Sequence, residues 1–209
     1  MIRMATAGEM IGVIAAAIAR PQATVTSYYE VLRKGGLIST TGRGRSAQHL
    51  SPLDVARILI VMLSADALQE GDAVTRLVGQ LWHTSFTSED DAEPAIDIQF
   101  ENALARIIAF EADQRRGRSP VDDGLLGNLA THNVQVRVTA THLTAEISFG
   151  SVTTEFLASS AESPPVTHPS EWNEIPIRDR LILRAMMEGM SVTRSIDNHV
   201  ISKVAAAMP

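Results

Sequence analysis

The chain has 209 residues, 45% hydrophobic and 20% charged, which is enough for one large or two small domains with a proper core. It contains no cysteine, so disulfides, thiolate zinc sites and thiol catalysis are excluded, and a reducing cytoplasm is the expected location. Its 18 basic and 24 acidic residues give a net charge of −6, a bulk figure that argues against a nucleic-acid partner. The distribution answers that argument. Residues 1–50 hold Arg3, Arg20, Arg33, Lys34, Arg43 and Arg45 against Glu9 and Glu30, a surplus of four positive charges, while the remainder carries 12 basic against 22 acidic residues. A basic head on an acidic body orients a protein on DNA with the body held away from phosphate.

Arg3 followed by the apolar run of residues 10–19 imitates a secretory signal. Glu9 at the edge of that run, three residues after Thr6, is instead the S/T-x-x-E signature of a capped helix, so the run is expected to be a first helix. The spacing then predicts a second helix over residues 20–34 with Pro21 in its first turn, where proline's missing N–H is tolerated. Val25, Tyr28, Tyr29 and Leu32 recur at i, i+3, i+4 and i+7 and face a core. The opposite face offers Gln22, Ala23, Thr26, Ser27 and Glu30, short and polar side chains suited to touching base edges from within a major groove. Gly35-Gly36 ends the helix, and residues 37–41 and 46–50 flank Gly42-Arg43-Gly44-Arg45 as a hairpin with two arginines at its tip.

Together Thr24-Val25-Thr26-Ser27, the Gly36-Leu37-Ile38 step and the basic tip Gly42-Arg43-Gly44-Arg45 resemble the winged helix-turn-helix head of bacterial transcription regulators, in the broad style of MarR, ArsR and DeoR-type proteins. The resemblance covers residues 6–50. It implies a DNA-binding regulator in which Gln22, Ala23, Thr26 and Ser27 read bases, while Arg20, Arg33, Lys34, Arg43 and Arg45 hold the backbone. The segment departs from that family in having too few residues before Thr6 for the helix that usually precedes the turn-forming one, so either the head is truncated or a later helix fills that place. The alternative for the same stretch is a helix and hairpin that merely pack a core. Two exposed cations between glycines are not needed by such a turn.

Ser51-Pro52-Leu53-Asp54 caps a third helix, expected to run to residue 70 with Gly71 as its stop. It is apolar nearly all round, and Leu53, Ile60 and Ala67 fall on a heptad-like seam, so it is either a central core helix or a dimer helix. Residues 72–83 read as another helix with Val74, Leu77, Val78, Leu81 and Trp82 inward. The acidic loop 88–94 lacks the glycine and the final glutamate of a calcium loop and reads as a solvated linker. A helix over 98–116 ends in Arg115-Arg116-Gly117-Arg118, cations that its dipole favours.

From Asn133 the period becomes two. Val134, Val136 and Val138, then Leu143, Ala145 and Ile147, then residues 151–157 form an expected three-stranded antiparallel meander with one wet face. Pro164, Pro165 and Pro169 mark a linker, followed by helices over 177–188 and 192–206. The fold class is therefore α+β, mostly helical. The expected divisions are a DNA-binding head over 1–51, a helical core or dimerisation region over 52–118, and a sheet with linker and C-terminal helices over 119–209.

No phosphate loop, G-x-S-x-G, H-E-x-x-H or dinucleotide turn is present, and His49, His83, His132, His142, His168 and His199 lack ligand spacing. The chain is thus expected to be no enzyme and to hold no metal or cofactor. Its expected partners are double-stranded DNA and a second copy of itself, with no membrane. Two other classes fit the same residues: a DNA-recognition protein for packaging or replication of a phage or mobile element, and a protein-interaction module that binds no DNA.

Overall fold

The structure is a computed structural model that describes residues 5–39, 49–84, 98–118, 133–139, 143–149, 152–157 and 193–208. The expected wing tip, acidic loop, proline-rich linker and 177–188 helix lie outside these residues. Six α-helices and a five-stranded sheet are described: α1 (Ala7–Ala17), α2 (Gln22–Lys34), α3 (Pro52–Ser64), α4 (Gly71–Gly79), β1 (Trp82–Thr84), α5 (Phe100–Arg115), β2 (Val134–Thr139), β3 (Thr144–Phe149), β4 (Val152–Leu157), β5 (Thr193–Asp197) and α6 (Asn198–Ala207).

Local chemistry accounts for most of the ends. Thr6 and Glu9 form a reciprocal capping box on α1, and Ser51 and Asp54 form one on α3. Three helices end in the same way: the residue two past the cap donates its N–H back to the third-last helical carbonyl, with the residue between them at positive φ. In α2 Leu37 donates to Leu32 at 2.9 Å around Gly36 (φ 72°), and in α5 Arg118 donates to Asp113 at 3.0 Å around Gly117 (φ 67°). In α1 Arg20 donates to Ala15 at 2.9 Å around Ala19, which takes φ 53° without being glycine.

The sheet order is β1-β4-β3-β2-β5, with every neighbour antiparallel. The meander β2-β3-β4 lies where the period-two pattern predicts it, with Val134, Val136, Val138, Ala145 and Ile147 buried. It is not three-stranded, because a short strand joins each side. Trp82–Thr84 pairs with β4 in place of the last turn of the helix expected over 72–83, and α4 stops at Gly79. Thr193–Asp197 pairs with β2 in place of the start of the helix expected over 192–206. There Ile196 turns into the core, and Asp197 caps α6 by accepting from the Val200 N–H at 3.2 Å.

The third helix is also shorter than its apolar run. It ends at Ser64 because Ala65 is extended (ψ 133°) and Arg194 of β5 takes over the terminus, donating to the Leu63 carbonyl at 3.2 Å and pairing with Asp66. Gly71 does not stop it; Gly71 begins α4. A Cβ there would lie 3.1 Å from the Tyr28 ring and 3.2 Å from Val61, so glycine lets α2, α3 and α4 close together.

Helix α3 is the centre of the core. Val55, Ala56, the run Ile58 to Val61, and Leu63 are buried within their own chain, against α5, α4, α2 and the buried sheet face. That accounts for its all-round apolarity as a core helix; of the heptad-like seam only Ile60 is buried, Leu53 is half-buried, and Ala67 lies beyond the helix's end. Phe100 at the start of α5 meets Phe156 of β4 with ring centroids 5.2 Å apart. The last helix, α6, packs on both α1 and α5, so the N-terminal helix pair is joined to the C-terminal end of the chain. Among the described residues no helix is long and apolar enough to cross a membrane.

Candidate nucleic-acid interface

Helix α2 divides by side as its spacing predicts: Val25, Tyr29 and Leu32 are buried, while Gln22, Ala23, Thr26 and Ser27 are exposed together on the other side. The hydroxyls of Thr26 and Ser27 donate to the carbonyls of Gln22 and Ala23 at 2.9 and 3.0 Å. Their lone pairs remain available to accept from a base amino group, whereas donation to a base acceptor first requires breaking an internal bond. The Gln22 amide leans over Gly12 of α1, where a Cβ would sit 3.6 Å from its Oε1. No side chain caps the start of α2 at Pro21, and this end of the helix is exposed. Its free N–H groups and dipole favour an anion.

The cations around this face are not equivalent. Arg20, in the turn between α1 and α2, and Lys34, at the far end of α2, are exposed. Arg33 is committed to Glu30 through Nε at 3.0 Å and Nη2 at 2.6 Å. The Glu30 carboxylate keeps its guanidinium protonated above the ordinary arginine range. A phosphate meets Arg33 through its Nη1 end unless it displaces Glu30. Arg43 and Arg45 lie outside the described residues.

What the described residues do establish is how both ends of the 40–48 segment are held. Asp54, buried at the start of α3, accepts from the Ser39 N–H at 3.0 Å and the Ser39 hydroxyl at 2.6 Å on one side. On the other side it accepts from the Ser51 N–H at 2.9 Å and the Ser51 hydroxyl at 2.8 Å. His49, exposed, bonds through Nδ1 to the Ala5 carbonyl at 2.8 Å and so ties the returning chain to the residues that lead into α1. The capping role of Asp54 is legible in Ser51-x-x-Asp54; its reach to Ser39 is not, because that contact spans 15 residues.

A second anchor holds the exit of α2. Arg57 of α3 donates to both carboxylate oxygens of Glu101 in α5, at 2.8 and 2.9 Å, and to the Leu37 carbonyl at 2.6 Å. This bidentate bond is the main reason the Arg57 guanidinium is held above its ordinary range, against the opposing effect of burial. Arg76 of α4 donates to the Gly35 carbonyl. The sequence carries no signal for either, because a lone arginine on an apolar helix looks like a solvated residue until its partner is placed beside it.

The arginines that close α5 are used within the chain: Arg115 pairs with Glu111 at 2.9 Å, Arg118 with Asp113 at 3.5 Å, and Arg116 donates to the Met208 carbonyl. They fasten α5 internally and to the chain end, which accounts for them without phosphate. Among the described residues no group of three or more metal-binding side chains comes together. No protein-family model, curated protein or solved structure matches this chain.

Proposed function

We propose that this chain is a sequence-specific DNA-binding transcriptional regulator that acts in the cytoplasm as a homodimer, with α2 in the major groove. The observation that carries the proposal is the exposed polar side of α2, Gln22, Ala23, Thr26 and Ser27, backed by buried Val25, Tyr29 and Leu32 and flanked by the cations Arg20 and Lys34. A short, rigid polar helix face reads base edges, and cations beside it neutralise phosphate. Arg43 and Arg45 act as a basic wing on phosphate or the adjoining minor groove, and the Asp54 bonds to Ser39 and Ser51, which hold the chain before and after these arginines, support that reading. The acidic remainder of the chain is repelled by DNA and limits binding to one orientation.

Selection from a pool of random duplex DNA at low and moderate salt tests this reading. Enrichment of a palindromic motif is the expected result, with half-sites about 10 base pairs apart or a multiple of that. Salt-sensitive retention without a motif would replace sequence-specific regulation by packaging or architectural binding. Absence of retention at low salt would remove DNA as the partner.

A further inference from the structure

Beside the α1–α2 turn lies a cleft of about 500 Å³, within the range of small-molecule sites. One wall is the turn itself, residues 17–20. The floor is Leu59, Met62 and Leu63 of α3, and the facing wall is β5 with Arg194. Arg194 is paired with Asp66, and the Asp197 carboxylate, which keeps its charge, accepts from the Val200 N–H at the positive end of α6. The Arg20 guanidinium has no ion-pair or hydrogen-bond partner among the described residues. The Tyr28 phenol lies in the field of these same groups: burial raises its pKa most, with Arg194 and Arg20 opposing and Asp66 reinforcing. An apolar floor with a cation at its rim that no described carboxylate pairs fits a small apolar body bearing a single carboxylate.

We infer that this cleft binds a small amphipathic carboxylate through Arg20, and that the bound carboxylate takes Arg20 away from DNA phosphate. This rests on the DNA-binding reading for its second half only. A carboxylate on Arg20 makes a charge-assisted bond, and a guanidinium so engaged releases no counterion from the duplex. The ligand therefore weakens DNA binding on every sequence and lowers the salt slope by about 0.9, the amount of one neutralised phosphate. DNA weakens the ligand by the same factor, because the coupling is reciprocal. The position of Ala19 at φ 53° in this turn makes the wall a strained segment that a ligand reaches directly.

Calorimetry on the full chain without DNA, using phenylacetate and hexanoate with phenylacetamide as the neutral control, tests the cleft. Saturable binding of at least one acid is expected, with the amide about tenfold weaker or more. Met62→Trp fills the floor and should abolish acid binding while the variant still unfolds cooperatively and retains DNA. Arg20→Gln, which keeps the fold, should erase the preference for acid over amide. Equal binding of acid and amide, undiminished acid binding by Met62→Trp, or no binding of either acid up to about 10 mM overturns the site. Repeating the duplex titration with saturating acid tests the second half, and unchanged DNA affinity and salt slope would overturn the competition. A chain that takes up the acid but retains no duplex keeps the cleft and loses the regulator reading; one that retains duplex but takes up no acid does the reverse.

Discussion

Replacing Glu101 by alanine should strip a partly buried arginine of its partner at the point where the N-terminal helices meet the rest of the chain. Glu101 accepts from Nε and Nη2 of Arg57 at 2.8 and 2.9 Å, and the two side chains remain 11% and 20% exposed. Removing one member of a fully buried pair costs about 3–5 kcal/mol because the other charge is left without compensation. The residual exposure of Arg57 and its bond to the Leu37 carbonyl at 2.6 Å lower that figure to about 2–4 kcal/mol here. For a chain of this length the loss corresponds to a melting shift of about 6–12 °C. The double variant Arg57→Met with Glu101→Leu keeps the volume and removes both charges, so it should lie within about 1–2 kcal/mol of the parent. Urea titration of the parent, Arg57→Met, Glu101→Leu and the double variant measures the coupling, with Glu101→Ala titrated beside them, provided the slopes agree. A single-variant loss below about 1 kcal/mol, the range of exposed ion pairs, would refute the claim that this pair anchors the α2 exit.

Ala19→Gly should stabilise the chain by about 0.5–1 kcal/mol, since glycine removes the left-handed penalty and returns part of the gain as unfolded-state entropy; a lower melting temperature would contradict the positive φ at the turn. Asp54→Asn should cost about 2–3 kcal/mol, because an amide cannot accept at both positions from Ser39 and Ser51. It should also weaken DNA retention through the wing, and retention that tracks only the fraction folded would remove that positioning role. Arg43→Ala with Arg45→Ala should reduce affinity on all sequences and lower the salt slope by about 0.9 for each phosphate left without its arginine, whereas unchanged affinity for every duplex would end the wing assignment. Gln22→Ala should change preference at one base position by about 1–3 kcal/mol, and an equal loss on all sequences would show that Gln22 reads no base.

Local chemistry carries much of this structure in the sequence. The capping boxes at Thr6 and Ser51, the Gly35-Gly36 stop, the buried side of α2 and the alternating valines of β2 each depend on residues within about one turn or one strand, so their pattern is visible in a short window. The exposed residues Gln22, Ala23, Thr26 and Ser27 are legible for the same reason. What only the tertiary structure decides is set by partners far along the chain. Whether residues 82–84 and 193–197 continue a helix or add to a sheet depends on the open edges of β4 and β2, to which they pair. The end of α3 at Ser64 depends on Arg194, and the exit of α2 on Arg57 and Glu101, 44 residues apart. An apolar period states that a face will be buried but not against what, and a lone charge states nothing until its counterpart is beside it. That is why the polar face of α2 is readable from the sequence, while its anchors at Asp54, Arg57 and Arg76 become visible only in the folded chain.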